Sequence, residues 1–390
     1  RLVTRHERPG YRTAAVGGTV DIVTQILDRP ATRMLPTAAR TTLPPAGPAW
    51  YGAVMGTGIL ATLLQVNAEA LPWGSDLAPA VLAIGWVLFV GLSTAFGRRV
   101  QADSEVLRSG WADPTTRAQW GMVSMGILAV GSATLTVLPV HAPGLTHVSL
   151  LADAALWTIG TALGLLTTLS FTAMLVRGAA GQPGFAWGLP VVPPMVSATT
   201  GAALVPYLSS EIARLLLFLV LVACFVLALS LGAAIFVVAY RHHLLRTPVP
   251  LAASTSPWIP LGVVGQSTAA AQAIAGQATT LLRPEAAPGV HALANAYGVA
   301  MLAIGVPLVA YAALVTVRGF LGRMPFSPGW WSLTFPIGTL ALGSHLLGAQ
   351  PGLAAYSLVG VACVLVLCGT WLLCATASAR ARLAAGGLGA

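Results

Sequence analysis

Lysine is absent from this sequence, and charge of any kind is scarce. Across 390 residues there are 20 arginines and 11 acids, so 8% of residues are charged, against 56% hydrophobic and a mean hydropathy of +0.80. Soluble chains carry about 25% charged residues; this one has too few to cover a water-soluble surface of its size. The scarcity excludes a cytosolic enzyme, a secreted domain and a disordered chain, and points to an all-α polytopic membrane protein. In a soluble chain a net charge of +9 would suggest a nucleic-acid partner. Here no nucleic acid is expected, and the arginines are read by their side of the membrane. Arg in place of every Lys, with abundant Ala, Gly and Pro, fits a GC-rich bacterial coding bias.

Cysteine is also rare. Cys224, Cys363, Cys368 and Cys374 lie in apolar runs without a C-x-x-C pair, as small buried hydrophobes do. There is no H-E-x-x-H motif, no pair of intramembrane carboxylates and no facing pair of histidines for haem. No catalytic residue, metal or cofactor is expected. The acids avoid the middle of every apolar run: Asp153 and Glu211 read as helix starts, where a carboxylate suits the dipole, and Glu211 is spaced to pair with Arg214. Intramembrane charge marks proton relays, carboxylate-lined cation pores and voltage sensors; its absence argues against all three.

What is present is a series of ten apolar runs of spanning length, at 49–67, 77–97, 119–139, 153–176, 192–209, 213–239, 257–279, 291–317, 330–348 and 354–376. Residues 1–48, rich in Arg and Pro, read as a disordered tail in which Met34 is an alternative start; 49–377 is the membrane domain and 378–390 a short C-terminal tail. With the tail inside, 18 arginines fall on the cytoplasmic side and two, Arg214 and Arg283, outside. That bias puts both termini in the cytoplasm of a bacterial cytoplasmic membrane and supports an even number of spans.

Odd-numbered runs are rich in Gly, Ser, Thr and Pro, whereas even-numbered runs are greasy. Motif starts at 52, 121, 195, 260 and 332 are spaced by 69, 74, 65 and 72 residues, a helical hairpin used five times. Small residues allow close helix contact, and greasy helices suit lipid. The pattern predicts five hairpins in a quasi-five-fold ring, with the odd helices lining a central pore. Candidate lining residues are Gly56, Thr57, Ser124, Thr199, Thr200, Gln266, Ser267, Ser332, Thr339 and Gly343. His345 is the one histidine deep in a run and a candidate pH-sensitive group. Phe335 stands among small residues ahead of Pro336, which is expected to bend the helix. It shares a helical face with Ser332, Thr339 and Gly343. From spacing alone the ring either packs against a neighbour or plugs a narrow path.

Three stretches carry a family resemblance. Pro48-Ala49-Trp50-Tyr51-Gly52-Ala53-Val54-Met55-Gly56-Thr57-Gly58, the Pro193-Pro194-Met195-Val196-Ser197-Ala198-Thr199-Thr200-Gly201 run and Trp331-Ser332-Leu333-Thr334-Phe335-Pro336 resemble blocks of the tellurite-resistance/dicarboxylate transporter (TDT) family, to which the plant guard-cell slow anion channels are related. The resemblance covers about residues 44–377. It implies ten helices around a pore, a homotrimer, a pore-occluding aromatic at Phe335, and small inorganic or organic anions as substrates, such as chloride, nitrate, sulfite or malate. The expectation is an anion channel or transporter, not an enzyme. Its rivals are a proton-coupled C4-dicarboxylate transporter, a sulfite or tellurite oxyanion efflux protein and, more remotely, a membrane-embedded cofactor-binding enzyme.

Overall fold

The computed structural model describes residues 43–281 and 284–386. Most of the expected tail, including Met34, lies outside the described residues, as do Arg283 and the last four residues. Among the described residues there is no strand, and the chain runs through eleven α-helices. These are α1 (Tyr51–Val66), α2 (Pro72–Ala102), α3 (Glu105–Ala112), α4 (Pro114–His141), α5 (Thr146–Val176) and α6 (Pro193–Gly201). They continue with α7 (Glu211–Leu245), α8 (Ile259–Leu281), α9 (Ala287–Leu321), α10 (Phe335–Gly348) and α11 (Ala355–Gly386).

Local signals account for most starts. Proline occupies the first turn of α2, α4, α6 and α10, where its missing N–H is not needed. Asp113 caps α4 by accepting from the Thr116 amide at 2.7 Å. That N–H holds the Asp113 carboxyl below its ordinary pKa. Its contribution is therefore complete above the ordinary carboxylate value and is lost as pH falls through the depressed one. Asp113→Ala is expected to remove about 1 kcal/mol of stability at neutral pH, and much less once the carboxyl is protonated. Thermal melts of both proteins across acidic pH read the difference.

Among the described residues, seven helical segments are long and apolar enough to cross a membrane: Pro48–Val66, Pro72–Ala102, Pro114–His141, Pro143–Val176, Glu211–Leu245, Ala287–Leu321 and Ala355–Ala384. Three of the ten expected spans do not qualify. α6 and α10 are short and are flanked by 3-10 turns at Ala202–Tyr207 and Pro328–Leu333. α8 is diluted by Gln266, Gln272, Gln277 and several hydroxyl residues. All three are enclosed by other helices, and an enclosed helix does not need a lipid-compatible surface.

Burial separates the helices into two kinds. The spanning window of α1 is 78% buried and that of α4 67%, whereas α2 and α9 are each 17% buried. The exposed faces carry leucine, valine and isoleucine, such as Val87, Leu219, Ile304 and Leu358. α1 packs against α4, α4 against α6, α6 against α8, α8 against α10, and α10 back against α1. The Cβ-less Gly265 and Gly343 let α8 and α10 touch backbone to backbone. Tryptophans on the exposed helices reach inward to neighbouring hairpins. Trp86 of α2 donates to Thr134 of α4, Trp157 of α5 to the Ser197 carbonyl of α6, and Trp371 of α11 to Thr57 of α1, all within 2.9–3.0 Å.

Several expectations change. α5 begins at Thr146, so Asp153 is not a helix start: it lies two turns inside, 1% exposed, with neither carboxyl oxygen hydrogen-bonded. Arg214 does not pair with Glu211; its guanidinium donates to the Leu208 carbonyl at 2.6 Å. α11 continues through residues expected as a C-terminal tail. α3, between the first two hairpins, was not anticipated. Pro336 lies in the first turn of α10 and starts that helix instead of bending it.

Candidate functional site

Two cavities meet at one side chain. The larger, about 620 Å³, opens at the end of the bundle where α1, α4, α8 and α10 begin. Met55, Met122, Met125, Val192, Ile259 and Phe335 form its apolar wall, and Thr116, Gln119, Thr255, Ser256 and Ser332 give it a polar edge. The smaller, about 30 Å³, is lined by Ile59 and Thr62 of α1, Ala129 and Ser132 of α4, and Val196 and Thr200 of α6. Gln266 of α8 and Phe335 and Leu342 of α10 complete it. Phe335 is the one residue common to both linings, and it is 3% exposed. Each cavity takes lining residues from α1, α4, α8 and α10 and from α6 or its N-cap, Val192. No Asp, Glu, Arg or His lines either one.

The ring is held by its neighbours in sequence. Thr334 donates to the Trp331 carbonyl at 2.7 Å, and its side chain occupies the space that a Cβ on Gly56 would need. Ser332 donates to the Thr255 carbonyl at 2.9 Å, which ties the 3-10 turn to the chain before α8. Phe335 therefore starts its helix from a turn fixed on two sides.

The expected site residues divide into two groups. Phe335, Thr200 and Gln266 come together around the small cavity, and Ser332 joins Phe335 at the large one. The others are engaged in helix contacts. Thr57 donates to Ala53 and accepts from Trp371, and Ser124 donates to the Gly160 carbonyl of α5. Thr199 donates to Met195, Ser267 to Val264 and Thr339 to Pro336. Gly56 faces Thr334, and Gly343 faces Gly265 and Thr268. The face shared by Ser332, Phe335, Thr339 and Gly343 does not form as drawn, because Ser332 precedes the helix and the two later residues turn toward α8. His345 lines neither cavity; its Nδ1 lies 3.1 Å from Asn67 Oδ1.

Thr62, Ser132 and Leu342 were not singled out in the sequence. A signal existed: Ile59/Thr62, Ala129/Ser132 and Val196/Thr200 each place an apolar residue one helical turn before a hydroxyl. Among the described residues no group of three or more His, Cys, Asp or Glu could hold a metal ion. The chemistry available is that of neutral dipoles around a small, uncharged constriction.

Known proteins supply an independent line. The sulfite efflux pump of Arthroderma otae is 23% identical over 336 residues, covering 84% of this chain and 88% of that protein, and its counterpart in Trichophyton rubrum gives the same figures. A transporter from Methanocaldococcus jannaschii, MJ0576, is 24% identical over 310 residues, covering 77% of this chain and 83% of its own length. The family model described as voltage-dependent anion channel (SLAC1) matches residues 46–379. That match takes in every helix that lines the two cavities, and the chain belongs to the voltage-dependent anion channel family, as an anion channel or transporter of a membrane.

Proposed function

We propose that this protein is a passive anion pathway gated by Phe335. The path runs from the large cavity through the small one, inside a quasi-five-fold ring of α1, α4, α6, α8 and α10. The exposed helices complete ten spans in five hairpins. The observation that carries this reading is the meeting of two uncharged cavities at a single aromatic ring. The cyclic order of helix contacts supports the ring.

The pathway sits in a bacterial cytoplasmic membrane with both termini in the cytoplasm. Arginine near the C-terminal ends of α2, α5, α7, α9 and α11 supports this orientation, through the positive-inside bias and the helix dipole. These arginines also raise the local anion concentration at the large cavity. Family resemblance supports a homotrimer with one path per protomer. Thr247→Cys is expected to react with a membrane-impermeant thiol reagent only from the cytoplasmic side, and Gly144→Cys only from outside. Labelling of both from one side would overturn the orientation.

A second reading, efflux of sulfite, is favoured by the fungal relatives, which are sulfite efflux pumps and match over 84% of this chain. The small inner cavity also suits an inorganic anion better than a C4 dicarboxylate. Reversal potentials of the purified protein in a chloride, nitrate, sulfite and malate series test both readings. Anion selectivity with a small-anion preference is expected; cation selectivity would sink the pathway.

A further inference from the structure

We propose that the inner cavity is a binding site for the monoanion of an oxyacid that retains one acidic proton, held by Gln266 and Ser132. This rests on the pathway described above. The cavity has four polar side chains, and two are already occupied. Thr62 donates to the Gly58 carbonyl at 3.3 Å and Thr200 to the Val196 carbonyl at 3.0 Å. Among the described residues, the Ser132 hydroxyl and the Gln266 amide nitrogen donate to nothing in the protein. Gln266 is 2% exposed, and its Oε1 is buried and accepts nothing.

A buried amide left without partners costs about 1–3 kcal/mol, so a ligand that satisfies both of its ends is favoured. A spherical anion uses the N–H and O–H donors but leaves the carbonyl oxygen facing negative charge. A dianion has no cation in the lining to offset its dehydration, which grows steeply with charge. A hydrogen-bearing oxyanion, of which hydrogensulfite is one, accepts from the amide N–H and the Ser132 O–H and donates its own proton to Oε1. The proton then crosses on the substrate, and the protein needs no carboxylate of its own along the path.

Two titratable groups of the membrane helices bear on the test: Asp153, which packs against Gly131, the residue before Ser132, and His345, paired with Asn67. A control must separate them from the substrate's own proton. The test uses proteoliposomes with Phe335→Ala, which opens the path, and inorganic sulfite and nitrate as probes over a pH series. Sulfite uptake at fixed total concentration is expected to fall as pH rises through the second dissociation of the acid, while nitrate uptake stays level. In the same background Gln266→Leu, which removes both the amide donor and the Oε1 acceptor, is expected to raise the half-saturation for sulfite by at least about tenfold, with a smaller effect on nitrate, which has no proton to give Oε1. Ser132→Ala, which removes one small group and spares the packing, is expected to act in the same direction.

The site is overturned if sulfite uptake ignores pH, or if nitrate falls in step with it, since a protein group would then be titrating. It is equally overturned if both substitutions leave the sulfite half-saturation unchanged while flux persists. Absence of any anion flux through the Phe335→Ala protein would instead reject the pathway itself, and this site with it.

Discussion

Phe335→Ala is expected to raise anion flux in proteoliposomes by at least about tenfold, because each ~1.4 kcal/mol removed from a barrier multiplies a rate by ten. The reason lies in position. The ring closes the boundary between the two cavities, and no other residue lines both. On the proposed pathway, an ion passing the aromatic constriction gives up water without receiving a charged partner, and that step is expected to set the rate. Removing the ring joins the cavities and lets hydration persist. Phe335→Leu should fall between the wild type and Phe335→Ala, since it shortens the side chain without emptying the position. Flux unchanged in both variants would mean that the ring packs and does not gate. Stability is a separate readout: a buried Phe truncated to Ala costs about 3–5 kcal/mol in a closed core, and less where the site borders cavities already.

Gly265→Ala is expected to be among the most damaging single-methyl changes in the described residues. A Cβ at this position overlaps the backbone of Thr339 and Leu340 on α10, and backbone cannot rotate aside as a side chain can. Relief requires α8 and α10 to separate, which displaces Phe335 at the start of α10. Overpacking of this kind costs about 3 kcal/mol. The melting midpoint in detergent should drop by several degrees, with loss of monodisperse protein. Gly262→Ala, one turn earlier on the same helix with open space at its Cβ, serves as the control and should be neutral or stabilising. Equal behaviour of the two variants would show that the close α8–α10 contact is not a constraint.

Much of the fold is legible in the sequence because hydropathy reports what a helix faces. α2, α5, α7, α9 and α11 are the less buried helices, and their long apolar runs announce them. α6, α8 and α10 face other helices, so neither length nor greasiness is required of them, and hydropathy alone places them poorly. The unevenness of the site has a different cause. Composition shows that a helix carries hydroxyls and glycines but not which way it is rotated. Thr57 and Ser124 stand in the most eye-catching motifs, yet their hydroxyls are used in helix contacts. Ser132, in an unremarked stretch of α4, lines the cavity. Phe335, the bulky residue among small ones, stands where the linings of the two cavities meet. Asp153 was misplaced because an apolar run begins later than its helix when the first turns carry Thr, His and Ser.

The absence of fixed charge around both cavities has a consequence on an evolutionary scale. A pathway that recognises its ion through a salt bridge is locked to that ion, since altering one partner strands the other in a low-dielectric interior. Here the lining is neutral, and the contacts that hold the bundle together, from the glycine seam of α8 and α10 to the inward-reaching tryptophans, lie elsewhere. Substitutions in the lining can therefore drift without threatening the architecture, and one scaffold can diversify among anions by small neutral steps.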